Sequence, residues 1–336
     1  MSKLPVVLYH YDASPYATKV KNILLLKHIP HKRVAVPMTL PRPELSEKLG
    51  VTYRRIPVLA IGNDVYCDTS LIASVLERRF PSSEGYKSLF PPRRGGGKSD
   101  TGIVKALSKF WLDIQVFPLA SGSLPYGKFD PNFIKDRSAW LGFDIDPKAL
   151  EARQPLYKSM LASHLALLEE QLSDGRTWLL DTKEPSLADI SAHFVFSWIR
   201  YFRVLKDLFV GDTFAKTVAW LDRMSEHLAA LQKAGAAAFE DVSAEDGATL
   251  ITGSPATSRE TVTVDPAQAK LLGIERGQLV SVLPTDNAKV PTVGKLVALD
   301  RERVSIEVKG IAGVAVCHFP RFNFAVKTAE GTKPKL

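Results

Sequence analysis

The sequence predicts three successive folds: a thioredoxin-like α/β N-terminal domain, an all-α second domain and a small all-β C-terminal domain, either a barrel or a sandwich. Three observations carry this. Short apolar runs alternate with amphipathic segments at the start of the chain. From Gly102 to about Ala238 apolar residues recur at helical spacing throughout. Beyond Ala234-Gly235-Ala236-Ala237-Ala238, six short runs of strand length follow at close intervals. At 336 residues the chain is too long for one ordinary core. The expected divisions are residues 1–85, a linker at 86–101, a helical domain at 102–240 and the β domain at 241–330.

Residues 6–9 form a first strand, and Asp12-Ala13-Ser14-Pro15 the turn after it. Ser14 suits a helix N-cap and Pro15 the first helical turn. They open a helix over 16–28 in which Val20, Ile23, Leu24 and Leu26 fall near helical spacing. A second strand at 33–36 and a short helix within 41–50 come next. Residues 53–72 then read as a strand entered through Pro57, a two-residue Gly62-Asn63 hairpin, a return strand and a helix capped by Asp68-Thr69-Ser70. Proline at a strand entrance suits a cis peptide, which would turn the Ile56 peptide group toward an extended ligand. The helix N-terminus beside it offers free N–H groups to a carboxylate. The order strand, helix, strand, helix, strand, strand, helix is the thioredoxin-like one.

Dense prolines and glycines from Pro81 to Lys98 mark the linker, and Gly95-Gly96-Gly97 lacks the following Lys-Ser/Thr of a phosphate loop. Helices are expected at 103–117, 133–141, 149–172, 186–201 and 213–231. Ser186-Leu187-Ala188-Asp189 has the spacing of a capping box, with Asp at the position where Glu or Gln is commoner. Strands are expected at 261–264, 279–283, 293–299, 303–308, 314–319 and 322–326, with a small helix at 266–272.

Charge narrows the function. Residues 1–100 carry 16 Lys/Arg against 8 Asp/Glu, which accounts for the whole net charge of +8 and places it on the first domain. An anionic small ligand explains that excess as well as nucleic acid would. The near-neutral β domain argues against a nucleic-acid surface there. No apolar run approaches twenty residues and no signal-peptide pattern is present, so neither membrane nor export is expected. Two cysteines, Cys67 and Cys317, make neither a disulfide framework nor a zinc site, and a reduced cytoplasmic setting with no metal follows.

With these residues in place the first 240 positions resemble a cytosolic glutathione transferase of the serine type. The likeness rests on Ser14-Pro15-Tyr16 after the first strand, Arg55-Ile56-Pro57-Val58-Leu59, Asp68-Thr69 with Ile72, and Ser186-Leu187-Ala188-Asp189-Ile190 in the helical domain. The resemblance implies that Ser14, otherwise only a helix cap, donates its hydroxyl to the glutathione thiolate. It implies that Arg55, the Ile56 backbone, Pro57, Asp68 and Thr69 hold the tripeptide. Asp-Thr stands where Glu/Gln-Ser is commoner. Tyr9 and Tyr11 compete with Ser14 by analogy to tyrosine-type members, though Tyr9 lies in an apolar strand. Ser14-Pro15-Tyr16-Ala17 occupies the window where disulfide exchange would need a cysteine, so glutaredoxin-like chemistry is excluded.

The implied co-substrate is glutathione, the implied partner a hydrophobic electrophile, and the implied assembly a homodimer. Tyr16, Phe110, Trp111 and Trp140 are candidate lining for the hydrophobic pocket. Cys67, on a strand beside Asp68, reads as a buried small hydrophobe. Three functions remain open: a transferase acting in detoxification or secondary metabolism by conjugation, isomerisation or ether cleavage, a binding or regulatory protein of the same fold, and a scaffold whose β module holds a partner. The β segment has no counterpart in the family pattern.

Overall fold

A computed structural model describes residues 4–255, 263–287 and 290–329. Its first part comprises β1 (Val6–His10), α1 (Pro15–Leu26), β2 (His31–Ala35), α2 (Pro43–Ser46), β3 (Val58–Ile61), β4 (Asp64–Cys67) and α3 (Thr69–Arg79), in the thioredoxin-like order. β1 pairs parallel with β2 and antiparallel with β3, and β4 returns antiparallel on β3. The two-residue return is possible because Gly62 adopts φ +59°, a left-handed conformation that costs glycine nothing.

The helical part runs through α4 (Thr101–Ala106), a π-helical segment (Leu107–Val116), α5 (Phe117–Gly122), α6 (Pro131–Leu141), α7 (Pro147–Gln171), α8 (Leu187–Ile199) and α9 (Ala215–Lys233). α8 is buried from Leu187 through Phe196, and its buried polar members Asp189, Ser191 and His193 are hydrogen-bonded. Its capping box forms: Ser186 Oγ accepts the Ala188 N–H, and the Asp189 carboxylate accepts the Ser186 N–H at 2.9 Å. The same carboxylate also accepts from the Leu179 N–H at 2.9 Å and Trp220 Nε1 at 3.1 Å, tying α9 to the start of α8.

The last part comprises β5 (Phe239–Asp241), α10 (Ala244–Thr252), α11 (Pro266–Leu272), β6 (Leu279–Pro284), β7 (Thr292–Leu299), β8 (Arg303–Gly310), β9 (Gly313–Pro320) and β10 (Phe324–Thr328). These strands form the anticipated β extension, with one addition. They do not close on themselves as a separate barrel or sandwich but continue the N-terminal sheet. The order across it is β10-β6-β7-β8-β9-β4-β3-β1-β2-β5, with β9 parallel to β4 and β5 parallel to β2. The physical reason is the pair of open edges: β4 and β2 each present a row of unpaired N–H and C=O groups, and the extension pairs both. β5 and α10 were not anticipated, although Ser243, whose Oγ accepts the Asp246 N–H at 3.0 Å, is an ordinary N-cap. Of the strand expected at 261–264, residues 261 and 262 lie outside the described residues, and Val264 makes an isolated bridge to Leu299.

Alternation along the central strands divides the interior in two. Leu8, Leu59, Ile61 and Tyr66 face α1, α3 and the helical domain. Val7, Tyr9, Val58, Ala60, Val65 and Cys67 face the other way and pack with Ala248 and Ile251 of α10 and with the extension.

The seam between β4 and β9 is polar as well as laddered. Asn63 Nδ2 donates to the Val314 and Ile251 carbonyls at 2.9 and 3.2 Å. His318 joins Asp64 (Nε2 to Oδ1, 3.0 Å) to the Ser305 hydroxyl (Nδ1, 2.7 Å), and its ring stacks on Tyr66 at 4.5 Å. The β8–β9 hairpin also grips the segment after α2, where the Ile311 and Ala312 N–H groups donate to the Glu47 and Lys48 carbonyls. That approach needs Gly310, because a Cβ there would lie 2.2 Å from the Lys48 carbonyl oxygen.

Gly310→Ala should therefore destabilise the protein by about 1–3 kcal/mol through overpacking against backbone, read as a lower denaturation midpoint. A pH dependence follows from burial, which lowers the pKa of His31 and His193 to about 4 from 6.5. Between those values the unfolded chain takes up protons that the folded chain refuses, so stability is full above pH 6.5 and falls as pH drops toward 4. The thermal midpoint should decline across that window, and His193→Gln should flatten the decline.

Candidate active site

Strand register assembles the site. Tyr9, Val58 and Cys67 lie side by side across β1, β3 and β4. The chain leaving β1, the chain entering β3 and the chain leaving β4 consequently share one end of the sheet. Ser14, the cis Ile56-Pro57 peptide and Asp68-Thr69 all stand there.

Ser14 is the N-cap of α1 and is 2% exposed. Its Oγ accepts the Ala17 N–H at 3.1 Å, which uses the oxygen as acceptor and leaves the hydroxyl proton for another group. Asp68 caps α3 with φ +74°; its Oδ1 accepts the Ser70 N–H at 2.9 Å and the Ser70 hydroxyl at 2.6 Å. Its Oδ2 accepts from Lys109 Nζ at 2.9 Å, an ion pair supplied by the π-helical segment. Burial pushes the Asp68 pKa up, but Lys109 and the Ser70 hydrogen bonds outweigh it and hold the carboxyl below the usual range. Thr69 and Ile56 are buried beside it.

Arg55 meets two other parts of the chain. Its guanidinium forms an ion pair with Asp286, in the loop after β6, and lies 5.6 Å from the centre of the Trp140 ring on α6. The neighbouring Arg54 lies over the same ring at 5.5 Å and pairs with Asp136 at 2.6 Å.

The four pocket candidates are divided between two environments. Tyr16 packs against Phe117 and Phe194, with centroids 4.5 and 5.3 Å away, and donates its hydroxyl to the Asp113 carbonyl at 3.3 Å. Burial raises its pKa well above the ordinary phenol value, so it stays protonated. Trp111 donates Nε1 to His164 Nδ1 on α7 at 3.0 Å. Phe110 is half-exposed and meets Phe322 of the β9–β10 turn edge-on at 5.3 Å. Trp140 carries the two arginines. Phe110 thus borders the extension and Trp140 the arginines before β3, while Tyr16 of α1 packs against the helical domain and Trp111 within it.

Tyr9 lies on the second face of the sheet under α10, its hydroxyl 3.2 Å from where a Cβ on Gly247 would stand. Cys67 Sγ lies 3.7 Å from Cys317 Sγ, both fully buried. Burial raises the Cys67 pKa well above its usual value, which keeps an unreactive thiol next to Asp68.

Sequence reading missed the charges that join the first domain to the second. Lys19 of α1 is fully buried, with Nζ 2.8 and 3.0 Å from the Asp113 carboxylate oxygens and 3.1 Å from Ser108 Oγ, which in turn meets Ser191 Oγ at 2.7 Å. Burial raises the Asp113 pKa despite its partner. Lys19 stands one helical turn before Ile23 of the apolar face, and that was its one available signal. Lys19→Met should cost about 3–5 kcal/mol by leaving Asp113 as a buried charge without a partner. The Lys19→Met/Asp113→Leu double variant should recover most of the loss in urea denaturation.

Residues 8–84 match the model of the glutathione S-transferase N-terminal domain, and residues 116–234 match a domain of unknown function. A glutathione S-transferase-like protein from Pseudomonas syringae is 26% identical, with 98% of this chain and 100% of that one covered and a TM-score of 0.67. A Tau class glutathione S-transferase from mango, Mangifera indica, is 18% identical over 69% of this chain and 99% of that one, at a TM-score of 0.48. A rice glutathione S-transferase solved in complex with glutathione is 18% identical over 74% of this chain and 96% of that one, at 0.46. No curated protein matches. The part of the chain that matches a glutathione S-transferase N-terminal domain, residues 8–84, is thus the part whose sheet the C-terminal strands extend.

Proposed function

We propose that the protein is a glutathione-dependent enzyme in which the Ser14 hydroxyl stabilises the thiolate for attack on a hydrophobic electrophile. The observation that carries this reading is the state of Ser14. Its oxygen accepts the Ala17 N–H while its hydroxyl meets no acceptor among the described residues, at the end of the sheet where Ile56-Pro57 and the α3 N-terminus also stand. A thiol with a pKa above neutrality needs such a donor to be an anion at pH 7. Arg55 would take a ligand carboxylate, the Ile56 backbone would pair with the extended peptide, and Asp68-Thr69 would hold the other end. The α1 and α3 N-termini and the positive balance of the first hundred residues favour an anionic ligand. Trp140 and Phe110, beside Arg55 and the extension, are the residues from which we would build the electrophile pocket.

A binding protein without turnover is the second reading. It is favoured by the internal ion partners that Arg55 and Asp68 already have. The thiolate absorbance of bound glutathione, titrated with pH, separates the two. The first reading expects a bound thiol pKa below that of free glutathione, raised in Ser14→Ala, with conjugation of a generic aryl halide slowed roughly 10²-fold. Loss of the cap costs Ser14→Ala about 1 kcal/mol of stability as well, so Ser14→Thr serves as the conservative rescue. An unchanged thiol pKa in Ser14→Ala removes Ser14 from the chemistry, and binding with no turnover on a panel of electrophiles supports the second reading.

A further inference from the structure

We infer that Asp286 of the C-terminal extension is a built-in competitor for the ligand's terminal carboxylate, so that glutathione enters by taking Arg55 from it. The inference rests on the glutathione reading above and adds a role for the extension.

The chemistry at Arg55 is that of the ligand. A guanidinium offers its five N–H donors in a planar fork that matches a carboxylate, and the carboxylate it holds here belongs to the protein. Of the other acids nearby, Asp68 is already engaged by Lys109 at 2.9 Å, and Asp136 by Arg54 at 2.6 Å and Arg137 at 2.8 Å. Asp286 is therefore the acid that stands at the position a glycyl carboxylate would take.

The placement is structural and not a chance surface contact. Asp286 lies just past β6, where the Thr285 N–H donates to the Asn323 carbonyl at 2.9 Å. At the other end of the β6–β7 connection, Thr52 Oγ1 donates to the Pro291 carbonyl at 2.8 Å and meets Thr292 Oγ1 at 3.1 Å. Thr52 is three residues before Arg55 on the same strand approach. Both ends of the connection are thus fastened, and the acid is carried to the arginine. Trp140 backs the guanidinium from the helical domain, which keeps the fork in place when its partner changes.

The pair is also weak enough to yield. The Asp286 side chain is 51% exposed and that of Arg55 28%, and ion pairs at such exposure contribute little against solvent and salt. A ligand that brings its own carboxylate, and gains further bonds at Ile56 and Asp68, displaces an acid whose side chain has this one bond among the described residues. Release of Asp286 then loosens the start of the β6–β7 connection, so occupancy of the first domain is reported in the extension.

Calorimetric titration of the full chain with glutathione and with γ-glutamylcysteine, which lacks the glycyl carboxylate, tests this. Asp286→Asn keeps the shape and removes the charge. The expected result is glutathione binding tightened roughly three- to fivefold in Asp286→Asn, with γ-glutamylcysteine binding unchanged. Amide exchange at residues 283–287 of the native protein should rise when glutathione is added. Equal or weaker glutathione binding by Asp286→Asn overturns the inference and assigns Asp286 to positioning Arg55. Absence of heat with both ligands, in both proteins, at millimolar concentration is a different outcome: it sinks the glutathione reading itself and this inference with it.

Discussion

The pairing of β9 with the outer edge of β4 is the contact on which the rest of the molecule's arrangement depends. β4 is a four-residue strand at the end of the thioredoxin-like sheet, and an uncovered edge there would leave backbone groups open to pairing with other chains. Once β9 lies along it, the antiparallel meander through β8, β7, β6 and β10 has its position determined. Phe322 then reaches Phe110, and Asp286 reaches Arg55. The two-residue Gly62-Asn63 turn serves both sides of this joint. It sets the β3–β4 register that aligns Pro57 with Asp68, and it presents Asn63 and Asp64 to the Val314 carbonyl and His318.

Charges buried between the first domain and the helices have a comparable role. Lys19 with Asp113, and Lys109 with Asp68, each join an element of the α/β domain to the π-helical segment. Desolvation makes such pairs poor sources of net stability, yet a misplaced neighbour would leave a bare charge in the interior. They accordingly set which faces meet more than how tightly. One of them reaches the site directly, since Lys109 keeps Asp68 ionised despite its burial.

The extent to which the chain was legible follows the range of the forces involved. Ser14-Pro15 as cap and first turn, the Gly62-Asn63 hairpin and the Ser186–Asp189 box all depend on residues within a few positions of one another, and each forms where its spacing placed it. The β5–α10 stretch was missed because β5 is three exposed residues, Phe239–Asp241, and α10 contains a glycine and buries only one face. Gly247 itself has a reason that only packing shows: a Cβ there would lie 2.7 Å from Val34 and 3.2 Å from the Tyr9 hydroxyl. Lys19, Lys109 and Asp113 gave no sign of their burial because a charge in an amphipathic helix usually faces solvent.

By itself the sequence determined the order of elements, their caps and turns, the thioredoxin-like and helical parts, and the set of residues near Ser14, Ile56-Pro57 and Asp68-Thr69. Those follow from periodicity and from hydrogen bonds closed within one turn or one hairpin. Tertiary structure alone decided that the last strands join the first sheet, that Asp286 meets Arg55 and that Lys109 meets Asp68. The residues in those pairs stand 231 and 41 positions apart. No local preference selects such partners; they are settled by which strand edges are left open and which charges would otherwise be buried alone.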